Sequence, residues 1–149
     1  MQRKVRKIKR GFLICLEGLD KSGKTTHANL LVNELRRRGW EASYTTEPSK
    51  GPIGRFVKNY LLYSESRKHP AVEALLFAAD RTEHVQKEIN LLIEEEKIVV
   101  SDRYIYSTLA YQGAAGLDIE WILSINRYAA KPDLAIYIDV SPEILLKRR

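Results

Sequence analysis

Cysteine is almost missing from this chain: Cys15 is the single example in 149 residues. One thiol excludes any intrachain disulfide, so the fold must rest on its apolar core. A cytosolic setting is the expectation, with Cys15 as a small core residue and not a reactive one. Long hydrophobic runs are missing as well. No stretch approaches the roughly 20 apolar residues needed to span a bilayer, and the basic N-terminus lacks the apolar stretch and small-residue cleavage site of a signal peptide. Histidine is scarce, and His27, His69 and His84 lack metal-ligand spacing, so no chemistry is assigned to them. Glu94-Glu95-Glu96 reads as the exposed end of a helix, not as a metal site. There is no internal repeat and no low-complexity linker.

An excess of negative charge is also missing, and the net +6 invites a nucleic-acid reading. The distribution argues against it. Arg3, Lys4, Arg6, Lys7, Lys9 and Arg10 all precede the first apolar run, and without them the basic residues only equal the 19 acidic ones. The body is neutral and a short arm is basic. A solvated terminus is the expected role of residues 1–10, with no specific nucleic-acid partner. The remaining 11–149, with a hydrophobic share of 44% over the whole chain, is long enough for one domain with a sizeable core.

What is present is concentrated at Gly18-Leu19-Asp20-Lys21-Ser22-Gly23-Lys24-Thr25, a match to G-x-x-x-x-G-K-[ST]. The flanks fit that motif. Gly11 to Leu16 is a short apolar run that reads as a buried strand, and Ala28, Leu31, Val32 and Leu35 mark one face of a following helix. Gly18 and Gly23 allow the tight wrap that turns backbone N–H groups toward phosphate oxygens, and the helix N-terminus adds partial positive charge. Lys24 reaches the β- and γ-phosphates, and the Thr25 hydroxyl is a Mg²⁺ ligand. Leu19, Asp20, Lys21, Ser22 and Thr26 complete the phosphate-binding segment. The chain is expected to bind a nucleoside triphosphate.

Further along, residues 41–46 read as a strand, Ile53 to Leu62 as a short helix, and Pro70 to Lys97 as one long helix. Ile98-Val99-Val100 is a strand ending in Ser101-Asp102-Arg103. Helices are expected near 104–112 and 118–130, a strand over Leu134 to Val140, and a helix opened by Ser141 as cap and Pro142. Alternating strands and helices predict an α/β fold with a parallel sheet covered on both faces. Ligands of such sheets bind beyond the carboxyl ends of the strands. The glycine loop, the Glu47-Pro48 loop and Asp102-Arg103 should therefore meet in one cleft. Asp102 can hold Mg²⁺ and Arg103 can grip a phosphate, or the two form a strand-end ion pair. The N-K-x-D signature of GTPases is absent. Two phosphate sites and one metal point to a phosphotransferase.

From residue 11 onward the chain resembles the thymidylate kinases, a branch of the P-loop nucleoside monophosphate kinases. The resemblance rests on Phe12 to Thr26, Thr46-Glu47-Pro48, Leu75 to Arg81, Ser101-Asp102-Arg103-Tyr104 through Ala110-Tyr111-Gln112-Gly113, and Lys131-Pro132-Asp133-Leu134 leading to Tyr137-Ile138-Asp139-Val140. It implies a three-layer P-loop NTPase fold and transfer of the γ-phosphoryl group from ATP to dTMP with Mg²⁺, in a cytoplasmic homodimer. Phe77 would stack on the thymine and Arg81 would hydrogen-bond its edge; taken alone, these residues read as core and surface charge. Arg103 would hold the acceptor phosphate, with Arg55 as a looser candidate. Asp20 would meet the 3′-hydroxyl, Tyr111 would disfavour a ribose, and Ser107, Thr108 and Gln112 would line the base. Lys24, Arg103 and Lys21 are the catalytic candidates.

Two departures stand out. Family members commonly carry Gly or Arg where this chain has Lys21, which supplies charge without a bidentate fork. Family chains also run on past this one, so a lid and a last strand are expected beyond Lys147, Arg148 and Arg149. The alternatives are a nucleotide-binding module without turnover, or a kinase for another monophosphate.

Overall fold

The computed structural model describes residues 5–63 and 68–148. Arg3 and Lys4 of the basic arm, and Arg149 at the expected approach to a lid, lie outside the described residues. Among the described residues four short segments form a parallel sheet: β1 (Phe12–Glu17), β2 (Ala42–Thr46), β3 (Ile98–Asp102) and β4 (Leu134–Tyr137), in the order β2-β3-β1-β4. The described helices that flank it are α1 (Lys24–Arg37), α2 (Pro52–Leu62), α3 (Pro70–His84), α4 (Asn90–Glu94), α5 (Ile105–Ala114), α6 (Ile119–Ile125) and α7 (Pro142–Lys147).

The inner strands carry apolar side chains on both faces, as a sheet covered on both sides requires. Leu13, Cys15 and Val99 point to one face, where Val85, Ile89 and Tyr104 pack on them. Leu16, Ile98 and Val100 point to the other, against Ala28 and Val32 of α1. Burial pushes the Cys15 thiol up to about 12, in keeping with an inert core residue. The register aligns the strand ends. Asp102 pairs with Leu16 of β1 and with Thr46 of β2, so the three loops that follow leave the sheet side by side. β4 forms the far edge, and all four of its residues are exposed.

Three expectations are corrected. The long helix over 70–97 stops at Glu94, and a π-helical turn at Val85–Ile89 separates α3 from α4. Apolar spacing is silent on that turn, because Val85 and Ile89 recur four apart with or without it. The 118–130 helix ends at Ile125, where the Asn126 side chain accepts from Arg81 across the fold. Ser141 takes the capping position of α7 but its side chain makes no capping hydrogen bond.

Candidate active site

The loop between β1 and α1 takes its shape from backbone that side chains resist. Gly18 has φ +150°, and a Cβ there would lie 2.9 Å from the Ile138 carbonyl oxygen. Gly23 has φ +96° at the cap of α1 and supplies no side-chain cap, leaving the first N–H groups of the helix free for an anion. Lys21 is also left-handed, at φ +65°. The buried Lys24 folds back over the loop, its Nζ donating to Leu19 O at 2.5 Å. Burial, and then the charge of Arg103, hold its pKa below the usual lysine range. Beside it the Thr25 hydroxyl donates to Asp102 Oδ2, and Tyr44 OH donates to the same oxygen at 3.2 Å. These groups open on a cavity of about 410 Å³ lined by Asp20, Lys21, Gly23, Lys24, Thr25, Thr26, Thr46, Glu47, Asp102 and Arg103. Gly18, Leu19 and Ser22 belong to the loop without lining it.

A second cavity, of about 490 Å³, shares the Asp20, Glu47 and Arg103 wall with the first. Arg103 follows β3 with φ +69°, a conformation that turns its side chain back across the loop. Its guanidinium is paired with Asp20, donates to Ser107 Oγ at 3.2 Å and lies 5.7 Å from the Tyr111 ring centre. Ser107 is held in turn by the buried Glu17, whose Oε2 accepts from it at 2.5 Å while Oε1 accepts from the Tyr104 amide at 2.9 Å. Burial raises the Glu17 pKa against the opposing pull of those hydrogen bonds. Phe77, Arg81, Ser107, Thr108, Tyr111 and Gln112 all line this second cavity. Arg55 does not; it is exposed on α2 and lines neither cavity.

Arg81 is no surface charge. It is 1% exposed, with Nε donating to Glu47 Oε2 at 2.8 Å, Nη1 to Asn126 Oδ1 at 2.7 Å and Nη2 to Thr108 Oγ1 at 3.1 Å. His84, one turn on, meets the other Glu47 oxygen at 3.1 Å and Thr45 Oγ1 at 2.7 Å. Burial alone would drive the His84 pKa down. Its hydrogen bonds and charge contacts with Glu47 and Glu88 outweigh that and raise it to about 9. The sequence places the Glu47-Pro48 loop at the cleft but marks no role for the Glu47 side chain, and none for His84, Glu17 or Asn126. One signal was available: Arg81 falls in phase with the buried Ala74, Ala78 and Val85.

A histidine lifted from 6.5 to about 9 on folding contributes stability in full below pH 6.5 and loses it as the pH passes 9. The ceiling is about 3 kcal/mol. Thermal melts are expected to show Tm falling between pH 6.5 and 9.5, with His84→Gln flattening the slope. Equal slopes in the two proteins would contradict the assignment.

A glycine loop at the end of one strand, meeting a second cavity at the end of its neighbour, defines the two-cavity layout of a P-loop phosphotransferase. The family model described as thymidylate kinase matches residues 16–149. The chain is 46% identical over 143 residues to a probable thymidylate kinase of Pyrococcus abyssi, spanning 93% of this chain and 70% of that one. It is 49% identical over 131 residues to a probable thymidylate kinase of Pyrobaculum aerophilum, spanning 88% and 66%. Among solved structures, a thymidylate kinase from Ehrlichia chaffeensis superposes with a TM-score of 0.81 at 34% identity, covering 93% of this chain and 81% of that one. One from Candida albicans gives 0.79 at 32%, covering 94% and 68%. The chain belongs to the thymidylate kinase family.

Proposed function

We propose that this chain transfers the γ-phosphoryl group of ATP to dTMP, with the glycine-loop cavity taking the triphosphate and the adjoining cavity taking the acceptor. The observation that carries this reading is the common wall. Asp20, Glu47 and Arg103 border both cavities, so donor and acceptor phosphates would meet at Arg103 and Lys24 with no covalent intermediate. Two polyanions repel, and the work of the site is alignment and neutralisation of charge. Lys24 leaves Leu19 O for the β- and γ-phosphates, and Lys21 adds a single charge at the loop. Arg103 grips the acceptor phosphate from its Ser107 support, and Arg55, on α2 outside both cavities, stays the looser candidate for that phosphate.

Thr25 and Asp102 fit Mg²⁺: a hydroxyl and a carboxylate, hard oxygens already in contact beside the phosphate loop. Among the described residues no group of three His, Cys, Asp or Glu could hold a metal, which suits an ion bound mainly by phosphate and water. When bound, the ion neutralises charge on the transferring phosphate.

Thymine suits the second cavity. Phe77 offers a ring face, Arg81 and Thr108 offer donors to a carbonyl edge, and Tyr111 closes the sugar side against a 2′-hydroxyl. The buried Gln112 Oε1 has no partner among the described residues, and the thymine N3–H would supply the missing donor. We further propose residues 11–149 as the kinase unit behind a basic arm, and a homodimer packed through α3, where Val72 and Leu75 are 39% and 49% exposed one turn apart. A cytoplasmic site of action suits an enzyme that draws on ATP, and no described helix is long and apolar enough to cross a membrane.

A panel of dTMP, dCMP, dAMP and dGMP, each with ATP and Mg²⁺, tests the reading through ADP release. The expected result favours dTMP by at least about 100-fold, the discrimination that a pocket of matched hydrogen bonds supplies. A preference for any other member would overturn it.

A further inference from the structure

Gln112 leaves one question open that decides which base the pocket accepts. A glutamine amide has a donor end and an acceptor end, and a half-turn about its last bond exchanges them. Gln112 is 4% exposed, so its orientation must come from protein neighbours and not from water. Its Nε2 donates to Glu73 Oε2 at 3.1 Å, while its Oε1 has no partner among the described residues. Glu73 stands in the first turn of α3 and lines the same cavity. Its carboxylate only accepts. The flipped amide would set Oε1 against a carboxylate oxygen, trading a hydrogen bond for a repulsion.

We infer that Glu73 is a specificity-determining positioning residue: by holding the Gln112 amide in one orientation it makes the pocket demand a ring N–H. The inference rests on the dTMP reading of this cavity and deepens it. Thymine and uracil carry an imide N3–H that meets the free Oε1. Cytosine presents a bare N3 acceptor at the same place, so its binding leaves two acceptors facing each other in a buried site, a pairing of the kind that costs most. The selection thus acts through an atom that Glu73 itself never touches.

Glu73→Gln keeps the size of the side chain and removes its one-sidedness, since an amide at position 73 meets either end of Gln112. Its Tm is expected within a few degrees of the parent. The dTMP-over-dCMP ratio, read both as Kd by titration calorimetry and as kcat/KM, is expected to fall about 10- to 100-fold. The kcat for dTMP should stay within about threefold, with the change falling on KM. A ratio unchanged from the parent would overturn the inference, and so would equal losses for both nucleotides, which would mark Glu73 as merely structural. The parent protein separates this from the underlying reading. If it binds neither nucleotide, or binds dCMP as well as dTMP, the thymine assignment itself fails and the inference falls with it. If the parent selects dTMP and the variant does too, only the role of Glu73 fails.

Discussion

Lys24→Ala is expected to lower kcat roughly 1,000-fold, the scale on which a single preorganised charge acts in phosphoryl transfer. The amine is the one cation of the glycine loop that is buried, and its resting partner is a backbone carbonyl at 2.5 Å, not a carboxylate. It is therefore free to exchange that bond for a phosphate oxygen without breaking an ion pair. Its pKa, lowered first by burial, marks a site where positive charge is poorly solvated and where an incoming anion is correspondingly favoured. Lys24 does not line the acceptor cavity, so dTMP affinity should change by less than about threefold. Lys24→Arg is not expected to restore turnover, because a planar fork does not fit the path of a single extended amine. Coupled measurement of ADP release together with calorimetric dTMP binding checks both halves. A parallel loss of dTMP binding would show that the two cavities are not separate sites.

Arg81→Met is expected to cost about 3–5 kcal/mol of stability, the usual result of removing one member of a buried ion pair. For a chain of this size that corresponds to a fall in Tm of about 10 °C. The Glu47 carboxylate would lose the guanidinium that now approaches to 2.6 Å and would keep only His84. The Asn126 and Thr108 oxygens would lose their donors as well. Removing the partner charge at the same time, as Arg81→Met with Glu47→Gln, should recover a good part of the stability, because the uncompensated charge is gone. It should recover none of the dTMP affinity, since both residues border the acceptor cavity. Melts of the two variants beside dTMP titrations test the distinction. A double variant no more stable than the single would mean that packing around Arg81, and not its charge, is what the fold needs.

Much of the site was legible because its parts lie where chain chemistry is local. The glycine loop, the strand before it and the helix after it are contiguous, and each is dictated by residues within a few positions of one another. The convergence of Asp102-Arg103 with that loop followed from the parallel sheet alone, and the register places Asp102 level with Leu16 and Thr46. The buried network was not legible for the opposite reason. Glu47, the Arg81–His84 turn of α3 and Asn126 come from three places in the chain, and nothing in hydrophobic spacing indicates that a charged residue is neutralised by one 34 positions away. Glu17 shows the same limit: nothing local in the sequence marks it, yet it supports Ser107 and through it Arg103. The π turn after α3 escaped because the apolar spacing that reveals a helix does not record how its backbone is bonded.

In the proposed reaction two adjoining cavities pass one phosphoryl group from ATP to dTMP. Phosphorus NMR of the protein with ATP, Mg²⁺ and dTMP tests it most directly, because every phosphorus in the reaction is visible. The expected result is the β-phosphorus of dTDP growing in step with ADP, and no inorganic phosphate. ATP consumed to inorganic phosphate, or dTMP left unchanged while another monophosphate is converted, would contradict it.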